Sequence, residues 1–307
     1  MSALQADGVR KTYGSGRRAR TALVGCSFSA DRGEVLGVIG PNGAGKTTLL
    51  SIVAGAIPAS AGTVLVEGHR AGTRMARRAV GFASDPPLAP PELTGGEWLH
   101  YLASHRASSP RDRTALVRHA VEVAELDAFV ARRIATYSRG MGQRLALAAG
   151  VVSRAHVLLL DETLAGVDPL VQRRLREQIA RLASERRCVV VASHDLAAVE
   201  RLATRVLVLW RGRLAADLST ARLLTERVAE LALSGSGLAA ADRVVARYPG
   251  ALRTGQGFTV PLGRGLTVEQ VLAVCREERV PVAAARVRYR ALEDILIAAE
   301  AAEAGRV

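Results

Sequence analysis

The segment Gly40-Pro41-Asn42-Gly43-Ala44-Gly45-Lys46-Thr47-Thr48 follows an apolar run, Val35 to Ile39, and has the spacing GxxxxGKT. Glycines let successive backbone N–H groups turn toward one anion, and a helix opening at Lys46 adds its positive N-terminal end. Lys46 can reach the outer phosphates of a nucleotide, and the Thr47 hydroxyl can ligate Mg²⁺. A second group of residues lies downstream, where Val157-Leu158-Leu159-Leu160 ends in Asp161 and Glu162. A buried strand ending in two acids places both beside the bound phosphates. Asp161 then suits a hard cation, reached through water, and Glu162 suits the water that attacks the terminal phosphate.

The elements that must position these groups are legible in outline. Val35–Ile39, Val157–Leu160, Val189–Ala192 and Val206–Leu209 are apolar on both faces, as strands of a covered parallel sheet must be. Between the first two, residues 98–106 and 113–125 carry apolar side chains three and four apart, with Ser108-Ser109-Pro110 as a stop and restart. This predicts a helical insertion at about 92–153. Gly14-Ser15-Gly16 predicts a loop between two short strands near the start. After about residue 217 the texture changes. Val228–Leu233 reads as a strand, Ser234–Gly237 as a break, Leu238–Arg247 as a helix and Gly255–Gly257 as a hairpin turn. A helix at Val268–Glu277, a strand at Val282–Tyr289 and a helix at Leu292–Ala299 follow. The expected organisation is an α/β domain over 1–216 and a small α+β domain over 217–307. The latter holds no phosphate loop, metal cluster or nucleophile pattern, so packing or pairing of copies is its expected role.

The segment Tyr137-Ser138-Arg139-Gly140-Met141-Gly142-Gln143-Arg144 opens an apolar helix before the acidic strand, Asp168-Pro169 makes a turn, and a lone histidine stands in Ser193-His194-Asp195. With the phosphate loop and the LLLDE strand, this order resembles the ATP-binding subunits of ABC transporters over residues 3 to about 216. The resemblance implies a P-loop NTPase fold with a mostly parallel sheet, an antiparallel β subdomain and a helical subdomain. It implies ATP and Mg²⁺ as ligands. Ser138, Arg139 and Gly140 match the signature motif that binds the terminal phosphate held by the opposite subunit, although most members have SGGQ where this chain has SRGM. A helix N-terminus with a hydroxyl suits that role, and Ser138 also suits an ordinary N-cap. His194 matches the switch histidine, and Asp168 the turn that crosses between subunits. Tyr13 matches the aromatic platform for adenine, and packing on the sheet edge is its alternative. Asp85 stands where many members place a metal-ligating glutamine; it reads either as a third metal ligand or as a solvated loop acid.

In this family ATP is closed between two copies, so the resemblance implies a second ATPase subunit, identical or related, and separate transmembrane permease subunits. The SRGM signature, Asp85 and the tail Ala291-Leu292-Glu293-Asp294-Ile295 lean toward export. The other reading is a soluble ATPase of the same type acting on ribosomes, DNA or cofactor assembly. The chain has neither a second cassette nor the zinc clusters and coiled coils that go with such work.

Composition sets the remaining bounds. Formal net charge is +13, held mainly by residues 1–216, and arginine supplies nearly all of it because Lys11 and Lys46 are the only lysines. A heavy Arg and Ala usage fits genome composition better than a binding surface, so no nucleic acid is expected; an acidic membrane face remains compatible. No apolar run approaches the roughly twenty residues of a membrane span, and residues 1–10 lack the apolar core of a secretory signal. Cys26, Cys188 and Cys275 are far apart and read as small core residues in a reducing compartment. The expected location is cytoplasmic, peripheral on the inner face of the membrane through partners.

Overall fold

The structure, a computed structural model, describes residues 2–84, 87–164, 168–234, 238–263 and 265–304. The chain divides into two compact units, Met1–Asp217 and Leu218–Val307. At the centre of the first lies a six-stranded sheet. Its spatial order is Arg213–Ser219, Arg205–Trp210, Val35–Ile39, Cys188–Ser193, Val157–Asp161 and Val80–Ala83. The five inner and outer strands from Arg205–Trp210 onward pair in parallel. Val35–Ile39, Val157–Asp161 and Cys188–Ser193 are buried at every position, which is why they read as continuous apolar runs rather than alternating ones.

Register decides what these strands deliver. Ile39 pairs with Ser193, and Asp161 with Ala192, so the phosphate loop, Asp161–Glu162 and Ser193–His194 leave the sheet at one level on its carboxyl edge. Ligands of open α/β sheets bind at that edge.

A second sheet in this unit is antiparallel, in the order Arg20–Asp31, Ser2–Tyr13, Ala61–Val66 and His69–Arg70. The two strands flanking the Gly14–Gly16 turn are long, twelve residues each, where short ones are expected. Register shifts between Ala6 and Val9, and again between Lys11 and Thr12, break the two-residue alternation that marks a strand in sequence. Three helices make up the insertion: Gly95–Ser104, Pro110–Val123 and Arg139–Val152. The first begins before Trp98 because Thr94 and Glu97 form a reciprocal capping box, with Glu97 N donating to Thr94 Oγ1 at 3.1 Å and Thr94 N donating to Glu97 Oε2 at 2.7 Å. Ser109 caps the second helix and Pro110 occupies its first turn.

The second unit is a β-α-β-β-α-β arrangement followed by a helix. Its antiparallel sheet runs Leu252–Thr254, Gly257–Pro261, Arg227–Leu233 and Val282–Tyr289, the split βαβ pattern. Ala229, Leu231, Phe258 and Val260 of the sheet form a separate core with Ala241 and Val244 of helix Leu238–Arg247 and Val271 and Cys275 of helix Val268–Glu277.

Candidate functional site

The phosphate loop is fixed by glycines that no other residue could replace. Gly40 has φ 155°, and a Cβ there would lie 2.1 Å from the Leu209 carbonyl oxygen. Gly45 has φ 108°, and its Cβ would lie 2.7 Å from the carbonyl oxygen of Ala22. The loop is thus seated against the ends of two neighbouring strands. Lys46 is buried although it carries a charge, and its Nζ donates to the carbonyls of Gly40 at 2.8 Å and Pro41 at 3.3 Å. Helix Lys46–Val53 starts at that residue. Its first N–H groups therefore face the same space as the ammonium group.

That space is a cavity of about 470 Å³, lined by Tyr13, Arg20, Asn42 to Thr48, Glu162 and Arg211 among others. Among the described residues of its wall, Arg20, Lys46 and Arg211 are cations and Glu162 is the one carboxylate, so the site favours a polyanion. Tyr13 is 42% exposed at the rim, with the Lys11 ammonium 5.0 Å from its ring centre and its hydroxyl 3.4 Å from Thr48 Oγ1. One ring face is thereby occupied by a cation, and the ring stands beside the phosphate loop.

Glu162 is the most constrained side chain of the site. Its backbone has φ 54°, in the left-handed region. The N–H donates to Ala192 O at 2.9 Å, and its own carbonyl accepts from Gln143 Nε2 at 3.2 Å. The carboxylate oxygen Oε2 meets His194 Nδ1 at 2.8 Å and accepts from Ser193 Oγ at 3.2 Å and the His194 backbone N–H at 3.4 Å. Oε1 lies 3.7 Å from Lys46 Nζ. Glu162 therefore joins the phosphate loop to the strand end that carries His194, whose own side chain is half exposed. A carboxylate held at both oxygens and tethered at both backbone groups can accept a proton from a water without first reorganising. Asp161, one residue earlier, is buried at the last position of its strand.

Other residues singled out in the sequence are elsewhere. Ser138 caps helix Arg139–Val152, accepting from Met141 N at 3.4 Å, while its own N–H donates to Met141 Sδ at 3.5 Å. Asp168 caps helix Pro169–Ser184, accepting from Leu170 N at 2.9 Å and Val171 N at 3.4 Å. Neither of these caps, nor Arg139 or Gly140, belongs to the wall of the cavity. Asp85 lies outside the described residues. Among the described residues no group of three His, Cys, Asp or Glu side chains is placed to hold a metal ion, and no helix is long and apolar enough to cross a membrane.

Four residues of the site escape sequence reasoning: Arg20, Gln143, Ser193 and Arg211. Gln143 carried a signal, as the one amide between Gly142 and an apolar helix. Ser193 adjoins His194 and was visible as a neighbour only. Arg20 and Arg211 are two arginines among many, and only the fold distinguishes them.

Comparison with known proteins identifies the family and the fold. Residues 23–165 match the ABC transporter family. An ABC transporter ATP-binding protein of Nostoc sp. (strain PCC 7120) is 34% identical over 73% of this chain and 68% of its own length. The Nod factor export ATP-binding protein I of Paraburkholderia xenovorans is 32% identical over 74% of each chain. A dimeric ATP-binding cassette, solved in a post-hydrolysis state bound to ADP and Pi, superposes with a TM-score of 0.66, covering 71% of this chain and 98% of that one at 23% identity. It shares the fold, the α/β cassette with its antiparallel and helical parts. By its motifs, its architecture and its relatives, the chain belongs to the ABC transporter family, as one of the family's ATP-binding subunits.

Proposed function

We propose that the chain is the ATP-hydrolysing subunit of a multi-subunit exporter and that it works as a pair of cassettes. One observation carries this reading: Glu162 is tied at once to Lys46 of the phosphate loop, to His194, to the Ala192 carbonyl and to the Gln143 side-chain amide. In this reading Glu162 is the general base for the attacking water, His194 holds that water and the terminal phosphate, and Lys46 with residues 40–48 binds the phosphate chain. Tyr13 stacks on adenine. Residues 1–216 are the ATP-binding domain, with its helical subdomain at about 92–153, and residues 217–307 are an accessory domain.

Ser138, Arg139, Gly140 and Asp168 are absent from the wall of the cavity, which supports a role toward a second copy: each copy lends its signature helix end to the nucleotide of the other. ATP closes the pair, and hydrolysis reopens it, a population shift that permease subunits convert into transport. Export is favoured by the name of the Nod factor export relative. The chain then sits at the inner face of the membrane through its permease partners.

The donor set fits magnesium. Thr47 offers a hydroxyl at the cavity and Asp161 a buried carboxylate at the level of the loop, hard oxygen donors of the kind this ion prefers. With Asp85 they would hold the ion, which when bound supplies charge neutralisation on the phosphates.

The test is Glu162→Gln. The variant is expected to bind ATP as the parent does, to accumulate as a dimer in ATP by light scattering, and to lose turnover by at least about a hundredfold, the scale of a general base. Full turnover in this variant, or a monomer turning over ATP at the parent rate, defeats the assignment.

A further inference from the structure

The core of the second unit reaches the edge strand of its sheet at Val282 and leaves the rest of that strand uncovered. Strand Val282–Tyr289 lies at the sheet edge, and its partner is Arg227–Leu233. Directly paired residues share a face, and the register sets Ala285 opposite Leu231 and Val287 opposite Ala229. Leu231 and Ala229 are buried beneath the two helices, whereas Ala285 is exposed, Val287 is 36% exposed and Tyr289 is 59% exposed. The inner face of the edge strand is thus apolar and uncovered, and residues 283–287 are exposed throughout.

An edge of this kind normally carries a guard: a proline, an inward charge or a free lysine. The strand has two charges, and both are paired within the second unit, by Glu230 of the neighbouring strand and Asp294 of helix Leu292–Ala304. Arg286 donates to Glu230 at 2.9 and 3.2 Å, and Arg288 donates to Glu230 and, at 2.7 Å, to both oxygens of Asp294. What remains presented along the edge is Ala283-Ala284-Ala285 and Val287, small enough for a second backbone to approach at strand spacing.

We propose that this strand pairs antiparallel with the same strand of a second copy, with Ala285 opposite Ala285 on the two-fold axis. The register follows from charge and from the pleat. A two-fold axis perpendicular to the sheet keeps opposed residues on one face, so the axis passes through a residue pair. Centred on 286, the pairing sets Arg286 against Arg286; centred on 287, it sets Arg286 against Arg288. Like charges directly opposed disfavour both. Centred on 285, Arg286 meets Ala284, Arg288 meets Val282 and Val287 meets Ala283, with greater overlap than a centre at 284 allows. The contact is isologous and closes on itself. It needs no nucleotide, so it holds two copies together between cycles and raises the effective concentration of one cassette toward the other.

The test uses the full chain without nucleotide. A dimer by sedimentation equilibrium is expected. Its dissociation constant should rise at least about tenfold in Ala285→Arg, where an exposed site accepts the new side chain and two arginines then oppose each other. Under mild oxidation Ala285→Cys should form an intermolecular disulfide. Val287→Cys should not, because its two copies lie about 13 Å apart along the strands, four residues at strand rise. The native cysteines are buried and do not compete. A monomeric parent chain, capture of some other partner at this edge in place of a copy, or crosslinking at 287 and not at 285 overturns the proposal. The ATP-driven pair is read separately: in the double variant Ala285→Arg with Glu162→Gln, ATP should still produce a dimer, and its failure there would count against the proposed function and not against the edge pairing.

Discussion

Gln143 offers a sharp perturbation of the site that leaves the residues lining the cavity unchanged. Its side chain is wholly buried, its Nε2 donates to Glu162 O at 3.2 Å, and its Oε1 is buried without a partner among the described residues. Glu162 is held at φ 54°, a conformation that costs a non-glycine residue about 1–2 kcal/mol. Two backbone tethers oppose its relaxation, the bond from Gln143 and the bond to Ala192 O. Replacing Gln143 by Leu removes the first and keeps the volume nearly constant.

A neutral hydrogen bond contributes about 1 kcal/mol net, and 1.4 kcal/mol is a factor of ten. The bond acts on the orientation of Glu162, the proposed base, and Gln143 is not in the wall of the cavity. Gln143→Leu is therefore expected to lower kcat about five- to tenfold and to leave the KM for ATP within about twofold. Stability should change little. Leu removes one buried orphan, the amide oxygen, and creates another at the Glu162 carbonyl, and the two penalties are of similar size, about 1–3 kcal/mol each. Steady-state phosphate release against ATP concentration gives both kinetic constants, and a thermal melt gives the third quantity. A kcat within twofold of the parent would show that Glu162 needs no tether from the signature helix. A raised KM with unchanged kcat would move Gln143 to nucleotide binding.

Gly81→Ala should cost about 1–3 kcal/mol by chemical denaturation, because the new Cβ would lie 2.4 Å from Ser153 Oγ and 2.6 Å from Gly150 O, a backbone atom that cannot step aside; an unchanged midpoint refutes the close helix–strand packing. The three thiols are buried and burial raises each pKa, that of Cys188 to about 12, so native chain at pH 8 should resist maleimide while denatured chain takes up three equivalents. One labelled thiol in the native chain contradicts the core assignment. Glu230 has its carboxyl held below the ordinary range by bonds from Arg286 and Arg288; a lowered folded pKa gives stability that is present above the unfolded value and lost as pH falls through the folded one. Melting of the second unit should accordingly stay flat from pH 7 to about pH 5 and fall below about pH 4, and Arg288→Gln should flatten that acid limb.

What the sequence disclosed follows from how local each signal is. The four inner strands, the phosphate loop and the acidic strand end are contiguous runs whose residue types dictate one conformation, and they stand where their residues indicate. In the second unit the first and last strands and the helices were equally legible from their periods, while the two middle strands showed only as the hairpin turn at Gly255–Gly257. Helix Gly95–Ser104 starts early because a capping box, Thr94 with Glu97, outweighs the hydrophobic period that begins at Trp98. The long strands around Gly14 were hidden by bulges. The contacts of Glu162 were the least legible part. Its neighbours come from Lys46, Gln143, Ala192, Ser193 and His194, up to 116 residues away in sequence, and only sheet register brings them together.

That register also gives one helix a way to join the two sites of the proposed pair. Helix Arg139–Val152 begins at the Ser138 cap, away from the wall of its own cavity, and one turn later passes Gln143 to the carbonyl of its own Glu162. If Ser138 meets the phosphate of a second copy, a shift of this helix on closing moves a group bonded to the base of the first. The two sites of a pair would then be linked through a single hydrogen bond and one rigid element rather than through a loop. The link predicts a signature distinct from loss of alignment alone: Gln143→Leu should reduce the Hill coefficient of hydrolysis toward one, while Gly142→Ala, whose new Cβ would meet, among the described residues, Pro87 side-chain carbons at 3.5 and 3.6 Å, should leave it unchanged. Equal Hill coefficients in parent and Gln143→Leu would confine Gln143 to its own site.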